Sequence, residues 1–121
     1  MFHVDHDATN QLLLMSFSQR VEADEMQRCV DESKGVVANM VPGFRLLTDL
    51  SNLDFMDSSC ALYVGQIMDL CAEKGVAEVL RVVPDPSKDI GFSLMELFHY
   101  GKQINVVTYE TMEDAIQSLV A

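Results

Sequence analysis

The amino-acid sequence predicts one α/β domain over residues 1–121, with a mixed, mostly parallel sheet of about five strands and four helices packed around it. Three observations lead to this class. Short apolar runs without polar alternation recur along the chain, which is typical of strands covered on both faces. Amphipathic segments with apolar residues at helical spacing lie between these runs. The length suits a single core, and neither a linker nor an internal repeat divides the chain.

The chain opens with a predicted hairpin. Strands are expected at Phe2–Asp5 and Gln11–Ser18, and the polar residues between them suit a turn. The second strand is apolar on both faces, as expected inside an α/β sheet. The first helix is predicted over Glu22–Met40, where apolar residues recur at helical spacing opposite a row of acidic ones. Pro42 and Gly43 follow it as stop signals.

Three further pairs of a strand and a helix come next. Their strands are predicted at Phe44–Leu50, Val76–Val83 and Ile104–Tyr109. Regular alternation of strands with helices implies right-handed crossovers, which place a largely parallel sheet between layers of helices. The loops after the parallel strands then emerge at one edge of the sheet, where open α/β sheets have their sites.

Capping residues mark the starts of the last three helices. Asp57 precedes the second helix of the chain, which Gly75 ends, and Asp89 precedes the third. Thr111 stands three positions before Asp114, a spacing similar to that of a capping box, and opens the fourth. This last helix is predicted to bury four apolar residues: Met112, Ala115, Ile116 and Leu119.

The charge balance excludes several kinds of partner. Eight Lys and Arg against 19 Asp and Glu give a net charge of −11, which repels phosphate backbones and anionic lipid headgroups. We therefore expect neither a nucleic acid nor a membrane as partner. Cys29, Cys60 and Cys71 lie in apolar helical patterns and indicate a reducing compartment. Because the first residues also lack a signal-peptide pattern, a cytoplasmic location is expected.

The segment Thr48–Ser59 carries the main functional signal. It leaves a covered strand, is predicted to turn through Ser51–Met56, and enters a helix with two hydroxyls at its start. A phosphoryl group on Ser58 would meet free backbone N–H groups and the positive end of the helix dipole. The carboxylates of Asp49, Asp54 and Asp57 are expected near it and would oppose further negative charge. Ordinary capping is the alternative, because Asp and Ser commonly precede helices.

The residues Asp49-Leu-Ser-Asn-Leu-Asp-Phe-Met-Asp-Ser-Ser59 resemble the strand–loop–helix signature of STAS domains, the family of bacterial anti-sigma factor antagonists. The order of predicted strands and helices agrees with that family over most of the chain. The resemblance implies that Ser58 is the phosphorylated serine, with Asp57 and Ser59 as its neighbours. It also implies a protein partner, an anti-sigma factor that is itself a serine kinase and that binds only the unphosphorylated form.

Cys60 stands where the STAS signature has glycine, and Ser18–Glu22 replaces the family's Gly-Glu-Leu-Asp-like turn. A thiol in the first turn of a helix can be activated as a nucleophile. Here the surrounding carboxylates disfavour a thiolate, and the residue falls on the apolar side of the predicted helix. Cys60 is therefore expected to be a packed structural residue.

The Pro84–Phe92 stretch is a second candidate site. It is predicted to lie beside the loop after the first long strand, where strand order would reverse, so that Arg20 and Lys88 could meet. Together with Ser87 they would form an anion pocket for a nucleotide, a carboxylate or a lipid headgroup. A proline-stiffened loop with a capping Asp is the alternative, because no Gly-rich phosphate-binding motif occurs.

Two arginines fall inside predicted covered strands. Arg45 and Arg81 would be buried charges, which are uncommon and call for polar partners. Asp49, Asp69 and Glu78 are candidates for that role.

No catalytic residue, metal or cofactor is predicted. His3 and His6 form a His-x-x-His pattern, but residues three apart on a strand face opposite sides of a sheet. Neither a base–nucleophile pair nor a cofactor motif is recognisable, so catalysis is the least favoured function.

The sequence therefore favours a non-enzymatic regulatory domain that binds a protein partner. Leu62 and Tyr63 lie off the main apolar side of the second helix and predict an exposed patch, which would suit that partner or a homodimer. The alternative function is binding of a lipid or an anionic small molecule between the second and third helices.

Overall fold

The computed structural model describes residues 1–85, 99–101 and 103–120. The strands in this range are β1 (Phe2–Asp7), β2 (Leu12–Val21), β3 (Arg45–Met56), β4 (Glu78–Val82) and β5 (Asn105–Tyr109). The α-helices are α1 (Ala23–Ala38), α2 (Ala61–Lys74) and α3 (Met112–Val120), and a 3-10 helix (Ser58–Cys60) runs directly into α2. The helix predicted to begin at Asp89 lies outside the described residues.

The five strands form one mixed sheet in the order of the chain. β1 pairs antiparallel with β2, and β2 to β5 are parallel to one another. The predicted α/β class and the mostly parallel five-stranded sheet are confirmed. The predicted reversal of strand order is wrong for these strands, because each is added on the same side of the one before it and β3 separates β2 from β4. The ends of β2 and β4 are therefore not neighbours.

Helices cover both faces of the sheet, as expected. α1 and α2 pack on one face, against apolar side chains that include Leu13, Met15 and Phe17 of β2. On the other face α3 packs against a smaller cluster that includes Leu47 and Leu80. Because side chains alternate between the two faces of a strand, the central strands are apolar on both.

β3 is longer than predicted. The segment Ser51–Met56, expected as a loop, continues the strand and pairs with the end of β2. The register between the two strands shifts twice, and Gln19 at the second shift has a φ of +59°. Such bulges let one strand use more residues than its neighbour and increase the local twist. As a result β2 and β3 extend together past the end of β4, which pairs with β3 only as far as Asp49.

Gly75 ends α2, as predicted. Its φ of +94° lies in the left-handed region, and its N–H donates to the Ala72 carbonyl. A Cβ at this position would lie 3.1 Å from the Cβ of Pro42. Glycine is thus required both by the backbone conformation and by the close approach of the loop before β3.

Candidate functional site

The first candidate site lies where β3 passes into α2, and we call residues 57–62 the Ser58 corner. The N–H of Asp57 donates to the carbonyl of Val21 at 3.2 Å, which holds the corner against the end of β2. Asp57 is also the N-cap of the 3-10 helix, and its Oδ1 accepts the Ser59 N–H at 3.3 Å. The capping role that the sequence left open therefore belongs to Asp57.

Both serine side chains of the corner are exposed. The Ser58 hydroxyl donates to Oδ1 of Asp57 at 3.4 Å, a long and exposed contact. Since Asp57 caps the helix, the Ser58 hydroxyl is not needed for that purpose. It stands at the surface of the protein, at the start of a helix, where a macromolecule can reach it.

Cys60 packs beneath the corner. Its side chain has no exposed surface, and its Sγ lies 3.7 Å from the carbonyl of Val21. Burial raises the pKa of the Cys60 thiol, and the carboxylate of Asp57 raises it further, with smaller contributions from Glu22 and Glu25. Both effects oppose ionisation, in agreement with the predicted structural cysteine.

Two cations near the corner are each held by a carboxylate. Nε of Arg20 lies 2.9 Å from Oε1 of Glu22, and the guanidinium sits 4.5 Å from the centroid of the Phe55 ring. The N-terminal ammonium of Met1 lies 3.2 Å from Oε2 of Glu25. Both cations thus have a carboxylate partner, and the charged group that Ser58 itself contacts is the Asp57 carboxylate.

Two apolar side chains within four positions of Ser58 in the sequence are exposed. Leu62, one helical turn further along, is 65% exposed, and Phe55, at the end of β3, is 45% exposed. Tyr63 is half-buried and packs on the main core. Leu62 is therefore exposed as predicted and Tyr63 is not, while Phe55 is a further exposed apolar residue just before the corner. Sequence analysis missed Phe55 because the residue falls in the segment that was expected to be a loop.

Asp49 does not belong to this corner. It lies inside β3 opposite Ser16, and Met56 lies opposite Val21, five residues or about 16 Å further along β2. Its Oδ1 accepts both the N–H and the hydroxyl of Ser51, two residues on. The structure thus keeps Asp57 and Ser59 beside Ser58 and places Asp49 elsewhere, because the residues between them form a strand rather than a compact loop.

The second candidate site is not assembled by the described residues. Arg20 is exposed and occupied by Glu22 and Phe55, while Ser87 and Lys88 lie outside the described residues. The strand order also removes the reason for expecting them to meet, because β3 lies between the two strands concerned.

A cavity of about 40 Å³ lies instead between the sheet and helices α1 and α2. Its wall is largely apolar, and its polar members are Thr48, Arg81 and Tyr100. Arg81 is only 4% exposed, and its Nη2 lies 3.5 Å from Oγ1 of Thr108. Sequence analysis identified Arg81 as a buried charge but had no signal for the cavity, which is formed by residues far apart in the chain.

Arg45, the other predicted buried charge, is only partly buried. Nη1 of Arg45 donates to the carbonyl of Leu119 at the end of α3. Asp69 lies 2.6 Å from Nδ1 of His99. Within residues 1–85, 99–101 and 103–120, no group of three His, Cys, Asp or Glu could hold a metal ion. Of the helices described there, none is long and apolar enough to cross a membrane.

No protein-family model and no curated protein matches this chain. Solved structures do match. An uncharacterized protein of the DUF3478 family from Shewanella loihica PV-4, described as having a SpoIIAA-like fold, superimposes with a TM-score of 0.72 and 13% sequence identity, over 98% of this chain and 92% of that one. This chain has the SpoIIAA-like fold.

SpoIIAA structures in two states share the SpoIIAA-like fold with this chain. The anti-sigma factor antagonist SpoIIAA in its unphosphorylated form superimposes with a TM-score of 0.65 and 17% identity, over 100% of this chain and 99% of that one. The Bacillus cell fate determinant SpoIIAA in its phosphorylated form gives 0.63 and 17%, over 98% and 99%. At these identities the comparison concerns the fold alone. The resemblance to STAS domains is confirmed at that level.

Proposed function

We propose that this domain is a non-enzymatic regulatory module, that it binds a protein partner through the Ser58 corner, and that phosphorylation of Ser58 weakens this binding. The observation that carries the proposal is the exposed hydroxyl of Ser58 at the start of a helix that Asp57 already caps. SpoIIAA, which has the same fold, is described both as an anti-sigma factor antagonist and in phosphorylated and unphosphorylated forms.

The surroundings of Ser58 favour a switch that acts by repulsion. A phosphoryl group adds about −1.5 to −2 charges at neutral pH. The Ser58 side chain is exposed, so water can solvate the added charge and the modification leaves the fold intact. The Asp57 carboxylate, which Ser58 already contacts, adds a like charge at the same place. The corner would thus become strongly negative without a change of backbone.

The unmodified corner suits a partner with an apolar centre and a basic rim. Phe55 and Leu62 provide exposed apolar surface, and the Asp57 and Glu22 carboxylates lie close to the same helix start. Apolar groups at the centre of an interface supply most of its binding energy, while charges at the rim govern specificity and association rate. We propose an anti-sigma factor or a related serine kinase as this partner.

The proposed role assigns no catalytic step to this chain. The phosphoryl group would come from the partner kinase, and this domain would supply only the acceptor hydroxyl of Ser58. Such a partner and the three free cysteines fit the cytoplasm, where we propose that the domain acts.

The test compares variants in binding to a serine kinase-like partner recovered from the native host. Wild type and Ser58→Ala should bind equally, whereas Ser58→Asp should bind at least about tenfold more weakly, since 1.4 kcal/mol of repulsion gives that factor. Thr9→Asp is the matched control: it adds the same charge to an exposed turn at the opposite end of β2 and should leave the affinity unchanged. Equal affinities of Ser58→Asp and wild type would contradict the switch.

A homodimer that forms through the exposed Phe55 and Leu62 side chains is a separate outcome. In that case Leu62→Glu would change the sedimentation coefficient of the protein on its own. A heterologous partner predicts that wild type and Leu62→Glu both sediment as monomers and that only Leu62→Glu fails to bind the partner.

A further inference from the structure

The two outer strands of the sheet, β1 and β5, differ in how their edges are protected. In β1 the side chains of His3, Asp5 and His6 are exposed, and Oδ1 of Asp5 accepts the His6 N–H at 2.8 Å. Charged side chains and occupied backbone donors keep an edge strand from pairing with another chain. β5, with the sequence Asn-Val-Val-Thr-Tyr, contains no charged residue. Of these two strands, β1 is therefore protected and β5 is not.

The backbone of β5 shows which groups point away from the sheet. The Tyr109 carbonyl accepts the Val83 N–H at 2.8 Å, so the backbone groups of Tyr109 face β4. Successive residues of a strand direct their N–H and C=O groups to opposite sides. Val106 and Thr108 therefore present theirs at the outer edge. Among the strands of residues 1–85, 99–101 and 103–120, none pairs with this edge.

A second copy of this chain fits the edge of β5. Two copies related by a two-fold axis pair antiparallel, and each then presents the same surface to the other. With outward groups at Val106 and Thr108, the axis passes beside Val107, which lies opposite its own copy. Val106 of each copy then exchanges backbone hydrogen bonds with Thr108 of the other. All three side chains are β-branched, and such residues pack well between neighbouring strands.

The charge distribution also favours this edge as the contact between copies. Each chain has a net charge of −11, so two copies repel one another wherever acidic surfaces meet. Glu110 is the first acidic residue after β5, and in the two-fold arrangement it lies opposite Ile104 of the other copy. The two Glu110 residues are then six positions, or about 20 Å, apart along the strands. This exceeds the screening length of about 8 Å at physiological ionic strength.

We propose that two copies of this chain associate through β5, so that their sheets join into one continuous sheet. Short strands bury little surface, which limits the affinity to about the millimolar range. At the lower concentrations that suit partner-binding measurements, the protein stays a monomer. The Ser58 corner follows β3, which β4 separates from β5. The dimer is therefore independent of the phosphorylation switch.

Sedimentation equilibrium of the full chain tests the association. Between about 0.01 and 1 mM protein, the apparent mass should rise from that of one chain toward twice that value. Leu62→Glu should show the same rise, because Leu62 lies at the Ser58 corner. The mass of a single chain at the highest concentration, or loss of the rise in Leu62→Glu, would overturn the proposal.

Cysteine cross-linking tests the register. Val107→Cys should give a disulfide-linked dimer under mild oxidation, because directly opposed Cα atoms of such a pair are about 4.5 Å apart. Asn105→Cys is the matched control on the same side of the strand. Its two copies would be four positions, or about 13 Å, apart, which is too far for a disulfide. Equal cross-linking of both variants would indicate random collision and contradict the proposed pairing.

Proline variants test the backbone edge. Val106→Pro removes an N–H that points away from β4 and keeps the bonds between the two strands, so it should abolish the dimer without unfolding the protein. His6→Pro removes an N–H at the edge of β1, which Asp5 already occupies, and should dimerise as wild type does. Circular dichroism verifies that both variants fold. A folded Val106→Pro that dimerises like wild type would show that β5 is not the contact.

Discussion

Cys29 and Cys71 lie on the buried sides of α1 and α2, and neither side chain is exposed to solvent. Burial raises the pKa of the Cys29 thiol from 9.0 to about 11, with the Ser33 hydroxyl 3.9 Å away partly opposing the rise. Burial also raises the pKa of the Cys71 thiol, from 9.0 to about 12. In the unfolded chain both thiols regain ordinary pKa values, so above pH 9 that state loses protons which the folded protein keeps.

Stability should therefore fall as the pH rises above 9 toward the pKa values of the folded thiols. We expect the free energy of unfolding to decrease by up to about 1.4 kcal/mol per pH unit for each thiol, measured by urea titration at a series of pH values. The double variant Cys29→Ala/Cys71→Ala is the control. It should be less stable at neutral pH and show a flatter curve in the alkaline range. Curves of equal slope would argue against the raised pKa values.

Two aspartates of the predicted signature also show how position decides a role. Asp57 and Asp49 are both acidic residues within two positions of a serine in the same signature. Asp57 stands at the end of β3 and caps the following helix, whereas Asp49 lies within the strand and binds Ser51. The difference arises from the strand between them and not from the chemistry of the two side chains.

α3 shows what a capping residue contributes to a whole element. The helix has nine residues, and Ala115 is the one that is fully buried. Ile116, predicted to be buried, is 48% exposed because only one side of this short helix meets the sheet. Because this helix buries little surface, the hydrogen bond that caps its start contributes a larger share of its stability. Oγ1 of Thr111 accepts the N–H of Asp114 at 3.1 Å, which confirms the predicted hydroxyl cap.

Removal of this cap should be measurable in the stability of the protein. We expect Thr111→Ala to lower the free energy of unfolding by about 1 kcal/mol, because the Asp114 N–H loses its acceptor. Urea denaturation followed by circular dichroism measures the change. Thr9→Ala, in the exposed turn between β1 and β2, is the matched control and should stay within about 0.5 kcal/mol of wild type. Equal losses in both variants would mean that the Thr111 contact contributes nothing specific.

Across the whole molecule, the net charge of −11 opposes the compact state. The described ion pairs are few and exposed, among them Arg20 with Glu22 and Arg28 with Asp24. Pairs of this kind add little to stability. Most carboxylates therefore repel one another across the surface, and salt should relieve that repulsion.

We expect Tm to rise as NaCl is increased toward about 0.15 M, where the screening length falls to about 8 Å. The double variant Thr9→Lys/Gln117→Lys, at two exposed positions, reduces the net negative charge by two and should show a smaller rise. Thermal unfolding at several salt concentrations tests both statements. A Tm that falls with added salt would indicate that attractive pairs outweigh the repulsion.

The features that could be predicted from the sequence are local ones. The spacing of apolar residues along α1, the stop at Gly75 and the cap at Thr111 each depend on residues within a few positions of one another. The same holds for the exposed serine after Asp57. The fold class could be predicted from these elements, because parallel strands that are covered on both faces need helices packed on each face of the sheet.

The extent of β3, the positions of Asp49 and Phe55, and the cavity depend on residues distant in the chain. Only the tertiary structure decided these features. The segment Ser51–Met56 contains Ser, Asn and Asp residues that are typical of turns, and it becomes a strand because the end of β2 lies beside it to supply backbone partners. That pairing carries Asp49 away from Ser58 and makes Phe55 an exposed residue of the strand. The cavity at Arg81 exists because side chains from separate strands and helices leave space between them, and no local pattern in a sequence encodes an unfilled volume.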